Sequence, residues 1–493
     1  MIDCNGKKRS LVIPKWVGFD RANNSRELTI PRKSNFKINS FTKDQIKQQL
    51  DDFSENPSIF KAADIMGAAI VINDIDTATT MAKHIVDRRG LEKPTINLAE
   101  KILNLKTVEN NANQLLNLDF RIANLKRAIL NGPHNSIVWM ELARQYTIKG
   151  QKNKARKAAQ VALNLAPYNR YIVRSGARFF IHIGEFDTAL HYIQKSLSGY
   201  NDPWIKAIEV SLGQKLKFKI KKIRDLLPKD PSFDILFHYS ELFESCGMLE
   251  LESGNTKRAK GIFKTAWKNP TESVVRHGEW VIRNRFPHLE ESSGLNFNNS
   301  SEAVSFHLFY NYEFSRALEK ATQWELEEPY SAGPYILGSH IYDLLGDFQK
   351  AIETAKRGLS ANPKHFSLIN NLSYSLLRNN NIDEAEKLLQ KFSPHVGPQH
   401  MMFYNATSGL LEFKKGHIKN GRFLYKKSID ECREMGSLEY HAKALLNLAI
   451  AEVEQNTTES VELAKIALDR SKSINDPTAR ILSKTLKQKL DKR

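Results

Sequence analysis

The sequence predicts an all-α fold: a solenoid of antiparallel helix pairs led by an irregular N-terminal segment. Two observations predict it. A residue pattern returns every 34 residues, and within each unit a stripe of large residues is followed by a stripe of small ones, both at helical spacing. Composition agrees, since 41% apolar and 26% charged residues over 493 positions suit a folded chain rather than a disordered one.

From the N-terminus, the span 1–40 is expected to be irregular or extended. Leu11 to Lys37 carries Pro14 and Pro31, many polar residues and no helical period. Met1 to Gly6 followed by Lys7-Lys8-Arg9 has no apolar core, so no secretory signal is expected. No apolar run approaches the roughly 18 residues of a membrane helix. Only Cys4, Cys246 and Cys432 are present, far apart and odd in number. No disulfide framework or cysteine-rich metal site is expected, and a reducing, cytoplasmic setting fits.

The span 41–101 reads as a divergent helical region. Thr42-x-x-Gln45 has the form of a capping box, and Ala63, Met66, Gly67 and Ile70 followed by Ala78, Ala82 and Ile85 form a helix pair with a short turn. A first array is expected over 102–285, opening with the end of a repeat marked by Leu125, Ala128 and Pro133. Its clearest unit places Trp139, Leu142 and Tyr146 on one helix's buried stripe, while Ala155, Ala159 and Ala162 let the second helix approach closely. Gly150 stands where the first helix must turn, and Pro167 closes the second. The pattern returns at Val173, Gly176, Ala177, Phe180, Gly184, Ala189, Ile193 and Ser196, and again at Phe243, Gly247, Gly254, Ala259, Phe263 and Ala266.

The register then breaks. Ala259 to Ala317 is 58 residues, ten short of two repeats, and the polar span 286–301 is expected to be a loop jointing two arrays. The second array, 302–399, has Phe314, Ala317, Ala321 and Pro329, then Tyr335, Gly338, Tyr342, Gly346, Ala351, Ala355 and Pro363, then Ile369, Leu372, Leu376, Asn380, Ala385 and Leu389. Over 400–493 the repeat degenerates through Gly416, Tyr425, Ala444, Leu448, Ala464 and Ala467 to a basic C-terminal capping helix.

At these residues the chain resembles the tetratricopeptide repeat family. Its pattern is matched by Trp139, Leu142, Ala143, Tyr146, Ala155, Ala159, Ala162 and Pro167, with a departure at Ala159, where a larger residue is usual. The resemblance implies a right-handed superhelix whose first helices line a concave groove. The positions it turns inward are Met140 and Arg144, Arg174 and Arg178, Ile336 and His340, and Asn370 and Tyr374. The family's clamp for a peptide carboxylate wants a Lys where Met140 stands, so a general groove for an acidic ligand is the expectation.

No enzyme signature is present: no P-loop, no dinucleotide fingerprint, no nucleophile elbow and no zinc-protease motif. No catalytic residue, cofactor or metal is therefore expected. His395 and His400 share a loop without a nearby Cys or carboxylate, and the pairs Glu327-Glu328 and Glu290-Glu291 read as polar faces.

Charge placement says more. Between Lys101 and Arg224 there are 22 Lys and Arg against 7 Asp and Glu, a surplus of 15 out of the chain's +18. The densest stretch is Lys215 to Arg224, where Lys217, Lys219, Lys221 and Lys222 alternate with apolar anchors. Such a surface concentrates positive potential and favours acidic protein segments or nucleic acid. The leading expectation is a non-enzymatic scaffold that grips an acidic or extended protein segment. Its partner-binding residues would be Arg144, Arg174, Arg178, His340, Asn370, Tyr374, Lys217, Lys219, Lys221 and Lys222. Two further readings are an accessory subunit of a nucleic-acid-acting complex, and a ligand-responsive sensor hinged near Glu290 to Ser301. A membrane partner is not expected.

Overall fold

The computed structural model describes residues 11–19, 43–71, 74–86, 93–103, 111–198, 202–216, 226–229, 231–393, 396–397 and 400–492. Regular structure among them is entirely helical, with no strand. No helix among them is long and apolar enough to cross a membrane. The chain divides into two compact units, one of 16–205 and a larger one of 1–15 with 206–493.

The smaller unit holds α1 (Lys43–Glu55), α2 (Ile59–Val71), α3 (Ile75–Val86), α4 (Lys93–Leu103), α5 (Asn111–Asn131), α6 (Ser136–Ile148), α7 (Lys152–Leu165), α8 (Arg170–His182), α9 (Phe186–Leu197) and the start of α10 (Pro203–Lys215). In α2 and α3, Ala62, Met66, Ala69, Ala78, Ala82 and Ile85 form one apolar cluster, as the helix-pair reading of this region predicts. Gly67 lies so near Phe120 of α5 that a methyl group there would overlap the ring. Thr42 and the Gln45 side chain lie outside the described residues, so the capping box does too.

The pairs α6/α7 and α8/α9 follow the repeat. Ala155, Ala159 and Ala162 are fully buried, and Gly176 of α8 packs so closely on Leu163 of α7 that a Cβ would meet its Cδ1 at 2.7 Å. Gly150 and Gly184 take φ of 72° and 84° after the first helix of each pair, the left-handed turn that reverses the chain. Asn135 and Asn169 cap α6 and α8 by accepting main-chain N–H bonds. One detail departs from expectation. Trp139 is only half-buried and donates its indole N–H to the Pro133 carbonyl at 2.8 Å. Met140, expected to line an open groove, is wholly buried.

The larger unit continues with α11 (Phe233–Glu252), α12 (Thr256–Ala266), α13 (Glu272–Arg285), α14 (Ser301–Tyr310), α15 (Phe314–Glu327), α16 (Gly333–Leu345), α17 (Phe348–Ala361), α18 (Phe366–Arg378), α19 (Ile382–Phe392), α20 (Met401–Lys414), α21 (Ile418–Glu434), α22 (Leu438–Glu454), α23 (Ser460–Ser471) and α24 (Pro477–Asp491). The register break has a plain cause: α13 is followed by a loop rather than by a second helix. That loop holds two 3₁₀ turns, Pro287–Leu289 and Phe297–Asn299. Leu289 and Leu295 are buried in the same apolar cluster as Phe263, Trp267 and Val281, so the loop packs as part of its unit's core. At the C-terminal end Ala479, Leu482 and Leu486 of α24 close the stack against Leu446, Ala449 and Ile450 of α22.

Candidate peptide-binding faces

In the smaller unit the chain's own N-terminal segment lies against α6 and α8, the helices expected to line a groove. Glu141, buried in α6, accepts the Phe19 main-chain N–H at 2.8 Å on the same oxygen that takes the Tyr171 hydroxyl at 2.6 Å. Burial first, then the Glu141 charge, pushes the Tyr171 phenol well above its ordinary value, so it remains a donor. The Val17 carbonyl lies 3.3 Å from the same hydroxyl. Trp16 is fully buried edge-on to Phe179, and Phe19 stands edge-on to Tyr171. With both sides covered, α8 is buried from Tyr171 through Ile181 without a break.

The three arginines nominated from the sequence behave differently. Arg174 and Arg178 are buried, at 6% and 9% exposure. Arg174 stacks on the Trp204 ring with its guanidinium carbon 4.7 Å from the centroid; Arg170 lies over the same ring at 4.8 Å and pairs with Asp202. Arg144 is half-buried, its Nε shielded from solvent and without a hydrogen bond. Arg121 is its neighbour in charge: desolvation first, and the Arg144 charge second, hold the Arg121 guanidinium below its ordinary value. Glu141, the nearby carboxylate, opposes that shift, and its Oε1 is shared by the Phe19 N–H and the Tyr171 hydroxyl.

The larger unit holds a contrasting face. Here Leu11–Lys15 runs extended, with Val12 and Pro14 buried and Leu11, Ile13 and Lys15 partly so. Arg276 of α13 donates to the Ile13 carbonyl and pairs with Glu302 at 3.4 Å. The Lys15 ammonium pairs with Glu272, the first residue of α13, and with Glu327, the last of α15, at 2.5 Å. Burial opposes that charge, but Glu272, Glu328 and Glu327 outweigh it and raise the Lys15 pKa. Glu327 and Glu328 are therefore not on a polar outer face, as their sequence suggested. Both are buried, because α15 ends where the chain turns into the core.

The inward positions of the second array are covered by later helices of the same unit. His340 Nε2 lies 2.8 Å from Thr478 Oγ1 of α24. The Thr407 hydroxyl of α20 donates to Asn370 Oδ1 at 2.9 Å, and the Tyr374 hydroxyl donates to Asn447 of α22 at 3.3 Å. The nominated lysines Lys217, Lys219, Lys221 and Lys222 lie outside the described residues, as does His395. His400 stacks on Phe366, with centroids 4.3 Å apart. Among the described residues no three His, Cys, Asp or Glu side chains are grouped as a metal would need.

Sequence reasoning missed the docked segment. One signal could have found it: the alternation of Val12, Pro14 and Trp16, which is that of a strand-like ligand.

The tetratricopeptide repeat family profile matches residues 335–365, the α16/α17 pair. No curated protein matches the chain. Among solved structures, a human IFIT1 dimer with m7Gppp-AAAA is similar at 17% identity, covering 72% of this chain and 95% of that one, with a TM-score of 0.37. The matched profile, the 34-residue period and a left-handed glycine turn at Gly346 coincide on α16 and α17, and this helix pair is a tetratricopeptide-type repeat.

Proposed function

We propose that this chain is a non-enzymatic interaction scaffold that grips an acidic segment of a partner protein at the basic face of its smaller unit. The observation that carries the reading is the Arg121 and Arg144 pair. Burial and then the Arg144 charge hold the Arg121 guanidinium below its ordinary value against the opposing Glu141, one of whose oxygens already accepts from Phe19 and Tyr171. A carboxylate from a partner would relieve that repulsion and could engage either guanidinium bidentately. Arg174 and Arg178 act from behind, adding positive potential from buried positions rather than by contact. The scaffold works in the cytoplasm, a setting supported by two buried free cysteines, Cys246 and Cys432.

The test is titration of the full chain with a labelled oligoglutamate peptide, comparing wild type with Arg144→Glu. Binding weakened about tenfold or more by the substitution is expected, the worth of a lost charge-assisted pair. Equal binding by both proteins removes the reading. Tighter binding of single-stranded nucleic acid, with a log-log salt slope near −0.7 per phosphate, would instead move the ligand to phosphate.

A further inference from the structure

Leu11–Lys15 is held as a groove holds a foreign peptide. Its main chain is gripped by a side chain, Arg276 on the Ile13 carbonyl, and alternate residues Val12 and Pro14 are buried. Its one charged side chain enters a pocket of opposite charge at Glu272 and Glu327. We propose that this face, built by α13, the start of α14 and the end of α15, is a receptor for an extended, lysine-bearing segment of a partner protein, of the pattern aliphatic-x-Pro-Lys. Leu11–Lys15 is then its resident substitute. This site is separate from the Arg144 face and stands without it.

Three features support a receptor rather than a packing contact. First, the two carboxylates at the end of α15 are held by groups that do not belong to the docked segment. Glu327 accepts the Ser301 hydroxyl at 3.0 Å. Glu328 accepts the Trp324 indole N–H at 3.1 Å and the Tyr330 hydroxyl at 2.8 Å. The α15 side of the pocket is therefore preorganised without Lys15, and Glu272 joins it from the first residue of α13. Second, the recognition is specific to an ammonium group at the end of a flexible stem. That compact charge enters between two helix ends and satisfies carboxylates from both. Third, the resident segment does not complete the site. A small cavity beside Lys15 is lined by Glu272, Arg276 and Ser273. The Ser273 hydroxyl is buried and makes no hydrogen bond, so a partner can supply an atom that the chain's own segment does not.

A tethered segment competes at an effective concentration near the millimolar range. The wild-type chain should therefore bind a free ligand only in the fraction of molecules whose own segment is released. The test uses the full chain and a labelled peptide with the sequence of residues 11–19, followed by polarisation. Lys15→Met, which keeps the stem and deletes the charge, should bind this peptide about tenfold or more tightly than wild type does. The same peptide with its lysine acetylated should lose about tenfold or more on the Lys15→Met chain. Equal affinity for the acetylated and unmodified peptides overturns the proposal. So does no binding to a Lys15→Met chain of unchanged helicity, or competition by spermidine as strong as that by the peptide. Should Lys15→Met fail to fold, Lys15→Gln, which also lacks the charge but keeps a polar end, takes its place in the same titration with the same outcomes.

Discussion

Two faces of the larger unit are covered in two different ways, and the difference separates what can be exchanged from what is permanent. The α13 and α15 face is covered by an extended segment whose main chain is held by a side chain, Arg276 on the Ile13 carbonyl. The α16 and α18 face is covered by helices of the same stack. Its bonds run side chain to side chain, as in His340 with Thr478 and Tyr374 with Asn447. Main-chain recognition accepts any extended chain of suitable shape. Side-chain pairs between helices are tied to one packing. The first kind of cover can be replaced by a partner, whereas the second belongs to the core.

The largest effect is expected in the smaller unit, where the residues that follow Lys15 are packed as core. Trp16→Ala deletes a fully buried ring against Phe179. It should lower stability of the smaller unit by about 3–5 kcal/mol, read as faster amide hydrogen exchange in α8. A loss below about 1 kcal/mol would show that the segment contributes no core packing.

The helix-covered face can be interrogated by pH, because two groups on α16 titrate in opposite senses. Burial lowers the His340 pKa to about 4, with Lys443 lowering it further and Asp476 opposing. The unfolded chain therefore takes up this proton first, and stability falls as pH drops from 6.5 to 4. Burial raises the Asp343 pKa to about 7, against the Ser375 hydrogen bond and Arg378. There the folded chain holds the proton, and stability falls as pH rises from 3.8 to 7. The two slopes cancel between pH 4 and 6.5. His340→Gln should unmask a gain of about 3 kcal/mol on acidification over that range, and Asp343→Asn a loss of similar size. Urea midpoints at pH 4.5 and 6.5 measure both, and parallel behaviour of the two variants would contradict the assignment.

Smaller effects sharpen the contrast. Lys15→Met should cost the larger unit about 2 kcal/mol by leaving buried carboxylates without their cation, seen as a lower urea midpoint. Tyr374→Phe removes one hydroxyl bond to Asn447 and should cost about 1 kcal/mol. A larger loss from Tyr374→Phe than from Lys15→Met would reverse the ranking of the two covers.

The helix pairs were legible because their causes are local. Ala155, Ala159 and Ala162 share one face by helical spacing, and Gly150, Gly184 and Gly346 occupy the left-handed conformation that their residue type alone makes easy. The loop at 286–301 was legible from its polarity and the broken register, although not its buried Leu289 and Leu295. The candidate site was legible only in part. Arg144 was nominated from repeat position and stays a proposal, whereas Arg121, added from the structure, carries no repeat signature. Arg174 and Arg178 were read as groove residues before Trp204 and the docked segment placed them in the interior.

The sequence by itself determined the repeat, its turns and the sign of charge along the chain, because each arises from neighbours within one or two helical turns. Only the tertiary structure decided what covers each inward face. Lys15 meets Glu272 and Glu327 across 257 and 312 residues of chain, and no periodicity reports a pairing over such a span. A buried ammonium nonetheless requires its carboxylates, and three-dimensional packing is what brought Glu272 and Glu327 to it.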